Sequence, residues 1–97
     1  MKPAERYNWI EEWMRGGRPG CENVDVLDSD FVCEYADATG AEARIEHVGA
    51  PRCAQLGRDL SALFAAERLS RTPVGLSAGD ASMGFPKWVY TYSLIAK

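Results

Sequence analysis

Four guanidinium groups and a carboxamide crowd into one stretch of an acidic chain. They belong to Arg52, Gln55, Arg58, Arg68 and Arg71, in and around QLGRDLSALFAAERLSRT (Gln55–Thr72). A guanidinium presents donors in a fixed fork that matches paired acceptors on phosphates or base edges, and a carboxamide both donates and accepts. Nucleophilic and metal chemistry have thinner support. His47 is the only histidine, and it sits six residues before Cys53 across Gly49–Ala50–Pro51. A nucleophile–base pair needs a third group to orient the imidazole, and none is evident, so no catalytic set is expected. Cys21, Cys33 and Cys53 with His47 make four potential zinc ligands, but the C-x-x-C and H-x-x-x-H pairs that bring ligands together are missing. The cysteines are expected to serve as small apolar residues in a reducing compartment. No cofactor and no metal are expected.

Charge is divided unevenly along the chain. Residues 1–50 carry five bases and eleven acids, a net −6, whereas residues 51–97 carry six bases and three acids, a net +3. The split predicts that one face of the domain meets an anion. With 97 residues, 46% of them hydrophobic, the chain suffices for one domain spanning 1–97. No apolar run is long enough to cross a membrane, and the N-terminal MKPAERYNWIEEWM has no continuous apolar segment of the kind a signal peptide needs. The expected location is the cytoplasm.

The elements that must position these residues follow from pattern and punctuation. Pro3 suits the first turn of a helix that runs to about Arg15 and ends at GGRPG. At about 100° per residue its Tyr7, Ile10 and Met14 share one face, and Trp9 and Trp13 lie nearly opposite. A helix apolar on two sides is either sandwiched in its own domain or lies at an interface, with Trp9 and Trp13 the contact residues of a homodimer or a protein partner. Val24–Leu27 reads as a short strand. Asp28 or Ser29 caps a second helix over about 29–39, which Gly40 stops. Residues 41–48 read as irregular or briefly extended. A third helix is predicted from Pro51 to about residue 67, its buried stripe made by Cys53, Leu56, Leu60, Leu63 and Phe64. Gly57 falls in that stripe at a cost of about 1 kcal/mol relative to Ala, which predicts a close approach by another helix. An extended run at 70–76 and the aromatic, β-branched strand 87–95 pair as a hairpin across a Gly- and Ser-rich tip over 77–86. Gly75, Gly79 and Gly84 suit turns there rather than a phosphate-binding loop.

The element order is helix, short strand, helix, helix, hairpin. In that order, LGRDLSALFAAERLSRTPVGL followed by KWVYTYSL resembles the recognition helix, basic strand, wing and returning strand of a winged helix-turn-helix domain. The resemblance covers residues 50–95, about half the chain. The whole chain is also similar to small regulators of temperate phages and other mobile elements in bacteria. The implied fold is α+β, with three helices, a short strand after the first and a C-terminal β-hairpin wing. The chain departs from the family at Gly40–Ala50, where about three or four residues normally join the second and third helices. The resemblance implies sequence-specific binding of double-stranded DNA and a transcriptional regulator. The outward face of the third helix, Gln55, Arg58 and Ala62 flanked by Ala54, Ser61 and Ala65, would enter the major groove. Arg suits guanine and Gln suits adenine. Arg52 with the free amides near Pro51–Cys53, and Arg68, Arg71 and Lys87 along the hairpin, would meet phosphates. Asp59 is expected on the outward face beside Arg52, where it would repel DNA unless paired. The alternative is a module that binds or inhibits a host protein, through Trp9 and Trp13 or through the acidic set Glu22, Asp25, Asp28, Asp30, Glu34 and Asp37.

Overall fold

The computed structural model describes residues 1–16, 21–45, 51–75 and 88–95. The described residues form an α+β fold of three helices and antiparallel strands, in the order α1 (Pro3–Met14), β1 (Asn23–Val24), α2 (Ser29–Thr39), β2 (Arg44–Ile45), β3 (Pro51–Arg52), α3 (Ala54–Ala65), β4 (Leu69–Gly75) and β5 (Trp88–Leu94). Among them no helix is long and apolar enough to cross a membrane.

Local chemistry sets most helix ends. Pro3 occupies the first turn of α1, and the Glu5 carboxylate accepts from the Lys2 backbone N–H at 3.1 Å. Asp28 caps α2 by accepting from the Phe31 N–H at 3.2 Å, and Gly40 ends it in the left-handed region at φ 76°. The last turn of α3 closes with Glu67 N–H donating to Phe64 O and Arg68 N–H donating to Leu63 O. This paired closure places Glu67 at φ 60°, a position that glycine more often takes.

The strands carry the main departures from the sequence pattern. The first strand covers Asn23–Val24 rather than Val24–Leu27. Asp25 Oδ1 accepts from the Leu27 N–H at 2.8 Å, and that side-chain turn leads the chain out of the sheet. Helix α3 begins at Ala54, three residues later than expected, and ends at Ala65, two earlier. Pro51 and Arg52 instead form β3, antiparallel to Arg44–Ile45, the extended part of a segment expected to be irregular or briefly extended. Proline's fixed φ and missing donor suit a short extended segment as well as a first helical turn. The hairpin agrees closely with expectation: β4 and β5 pair from Leu69↔Leu94 to Gly75↔Trp88, and β1 joins the far edge of β5, giving the order β1-β5-β4. The Gly- and Ser-rich tip lies outside the described residues.

One hydrophobic cluster joins these elements. Ile10 and Met14 of α1, Phe31, Val32 and Tyr35 of α2, Leu56, Leu60 and Leu63 of α3, and Val24, Leu69 and Tyr92 of the sheet are its principal members. Each fully buried aliphatic side chain contributes roughly 1.5–3 kcal/mol. Trp9 and Trp13 take the sandwiched arrangement. Trp9 stacks on Phe31 with ring centres 6.2 Å apart and meets Tyr35 edge-on at 5.8 Å, and Trp13 lies 4.7 Å from Phe31. Both are half-buried. Gly57 does not mark a close helix approach: among the described residues a Cβ there would meet only Val26 Cγ1, at 3.9 Å.

Candidate nucleic-acid interface

Helix α3 buries Leu56, Asp59, Leu60 and Leu63 and exposes a stripe of Ala54, Arg58, Ser61 and Ala65, and Phe64, expected in the buried stripe, is also exposed. At 100° per residue the exposed stripe is centred about 60° round the axis from the face built on Gln55, Arg58 and Ala62. Arg58 and Ser61 therefore stand outward, while Gln55 and Ala62 are half-buried at the margin. Three of the four stripe residues are small, so backbone as well as side chain is accessible there.

Asp59 is the main correction to the expected face. It is 3% exposed and turned inward. The Arg6 guanidinium donates to it through Nε at 2.8 Å and Nη2 at 3.1 Å, and the Tyr35 hydroxyl donates to the same carboxylate at 2.5 Å. Gln55 Nε2 in turn donates to the Tyr35 oxygen at 3.0 Å. Gln55 is thus tied into a network linking α1, α2 and α3. A paired and hydrogen-bonded carboxylate can be buried where a lone one cannot. Burial, reinforced by the neighbouring carboxylate, pushes the Tyr35 phenol up to about 12. The Asp59 hydrogen bond raises Arg6 further above its ordinary value. The signal that could have placed Asp59 inward is its spacing, three residues after Leu56 and four before Leu63.

Basic residues gather at both ends of α3. At its N-terminal end a cleft of about 610 Å³ is lined by Arg44, Arg52 and Arg58 together with Glu42, Gln55 and Gly57. Arg44 pairs with Glu42 at 3.1 Å on the exposed rim. Arg52 and Arg58 have no carboxylate partner among the described residues, and Arg52 Nε is buried without an acceptor. At the C-terminal end Arg71 lies between the rings of Phe64, 3.9 Å away, and Tyr90, 4.0 Å away. Both sides of its guanidinium plane are covered, which fixes its direction while leaving its edge N–H groups free to donate.

Arg68 belongs elsewhere. Its Nη2 donates to Glu11 and, at 3.2 Å, to Asn8 Oδ1, and its guanidinium lies 5.9 Å from the Tyr7 ring centre. Glu11, Glu12 and Glu67 line the same groove. The α1 carboxylate takes up the charge that the sequence pattern assigned to a phosphate. Lys87 and His47 lie outside the described residues. Cys21 and Cys53 are buried and Cys33 is exposed, and no cluster of metal-ligating side chains occurs among the described residues.

No protein-family model matches the chain, and no curated protein and no solved structure matches it significantly.

Proposed function

We propose that the chain is a winged helix-turn-helix protein that binds double-stranded DNA, with α3 as the recognition helix and transcriptional regulation as its role. The observation that carries this reading is the exposed stripe Ala54–Arg58–Ser61–Ala65, from which the helix's only acid, Asp59, is turned away. The expected obstacle to a phosphate-rich partner is thereby absent from the surface that would meet it. The β4–β5 hairpin directly after α3, with β1 completing the sheet on β5, supports a wing beside that helix.

Dimensions agree with groove binding. The eleven residue-to-residue rises from Cys53 to Phe64 span about 17 Å of helix. Arginines near the two ends of such a helix straddle a major groove about 12 Å wide. Arg58 and Ser61 at the centre would reach base edges, while Arg52 and Arg71 would meet the two phosphate rows.

The test is a titration of the purified protein against a random-sequence duplex, at low and near-physiological salt, followed by site selection. Binding should weaken steeply with salt. Arg58→Ala should lower affinity for the selected site by about 1–3 kcal/mol and relax its sequence preference. Absence of binding at low salt would end this reading. An unchanged preference in Arg58→Ala would remove α3 as the reading element.

A further inference from the structure

We infer that the cleft between the β2–β3 pair and the first half of α3 is a phosphate-binding site, with Arg52 and Arg58 as its ligands and Arg44 at its rim. Three arginines from three separate elements line this one concave surface, against a single acid, Glu42, which Arg44 already engages. Arg52 and Arg58 therefore face the cleft with their charges uncompensated among the described residues.

The state of Arg52 carries the inference furthest. Its Nε is buried yet has no acceptor among the described residues. A buried donor left unmade is costly, and arginines in such surroundings usually have a carboxylate. A phosphate oxygen pair reached by Nε and one Nη, after a small rotation of the guanidinium, would satisfy it side-on. Arg58, one helical turn into α3 and exposed, lines the same cleft and adds a second fork. Two unpaired guanidiniums in one cleft favour a tetrahedral dianion over a lone carboxylate, because a phosphate has enough oxygens for both forks. The inference also gives a purpose to the segment between α2 and α3, which supplies both Arg44 and Arg52.

The phosphate can be one group of a DNA backbone, held by Arg52 while Arg58 turns to a base edge, or a free phosphorylated small molecule held by both. Only the first of these rests on the proposed DNA binding. Inorganic pyrophosphate is the probe for the site itself, titrated into the full chain while the arginine Nε and α3 amide resonances are followed by NMR. Saturable shifts should appear at Arg52 and Arg58. Arg52→Gln and Arg58→Gln should each weaken binding by about tenfold, while Arg68→Gln, held in a different groove, leaves it unchanged. Shifts that never saturate, or that persist undiminished in both cleft variants, would overturn the site.

The same Arg52→Gln protein is then titrated with duplex DNA. A salt slope reduced by about one assigns the site to a backbone phosphate. An unchanged slope alongside lost pyrophosphate binding assigns it to a free phosphorylated ligand. Pyrophosphate binding by a protein that ignores DNA would overturn the DNA reading and leave the site standing.

Discussion

The Asp59 carboxylate receives the Arg6 guanidinium through two nitrogens, at 2.8 and 3.1 Å, across 53 positions of the chain. The pair fastens the start of α1 to the middle of α3, and Tyr35 adds α2 to the same carboxylate. Three helices are thereby registered around one charge. This registration sets the rotation of α3, since a helix with Asp59 inside must present Ala54, Arg58, Ser61 and Ala65 outside.

Breaking that pair from one side should be severe. Asp59→Ala leaves the Arg6 side chain, only 17% exposed, without its counter-charge and the Tyr35 hydroxyl without its acceptor. The expected loss is about 3 kcal/mol, a large share of the stability of a small domain. Removing both charges and the stranded hydroxyl, with Arg6→Met, Asp59→Leu and Tyr35→Phe, should recover most of it. Urea unfolding of the two proteins checks this, and a single variant within 0.5 kcal/mol of the parent, roughly the scatter of neutral surface changes, would deny the pair its role.

Stability should also fall in strong alkali through Tyr35. Its phenol is pushed up to about 12 in the folded protein, from an ordinary value of 10. Below pH 10 the phenol is neutral in both states and the full stabilisation is present. Between 10 and 12 the unfolded chain loses the proton and the folded one keeps it, so unfolding gains ground. The loss amounts to about 2–3 kcal/mol across that window. Urea midpoints measured from pH 9 to 12 should decline more gently in Tyr35→Phe. Parallel declines in the two proteins would contradict this.

Much of the fold was legible because its signals are local. Asp28 and Gly40 punctuate α2, and the alternation in WVYTYSL marks β5 to within a residue. The pairing of β2 with β3 was not legible beyond a brief extension at 41–48, because strands of two residues have no periodicity and exist only through each other. Polarity alone displaces the centre of the α3 face, since Asp59 is polar yet buried. Its burial depends on Arg6, and nothing local announces a partner that distant. The same holds for Arg68, whose acceptor Glu11 lies 57 positions away.

Gly57→Ala should stabilise the protein. The residue is inside α3, its added methyl would sit 3.9 Å from Val26 Cγ1, and that is ordinary contact. Ala is preferred to Gly in a helix interior by about 0.5–1 kcal/mol. A gain of this size in urea unfolding is expected. A loss would show that the cleft wall or the α3 backbone requires glycine after all.

Arg71 and Arg68 separate by their partners, and so should their variants. Arg71 is held between Phe64 and Tyr90 beside the exposed face of α3, so its N–H edge is directed before any ligand arrives. Arg71→Ala should weaken DNA binding across all sequences and reduce the salt slope by about one. Arg71→Lys keeps the charge but loses the flat surface that stacks on both rings, so it should restore the slope more fully than the affinity. Arg68 is engaged by Glu11 and Asn8, and Arg68→Ala should leave DNA affinity and slope unchanged while costing less than about 1 kcal/mol of stability. Equal losses of DNA affinity in Arg68→Ala and Arg71→Ala would mean that the duplex contacts the α1 side of the hairpin, and α3 would no longer lie at the centre of the interface.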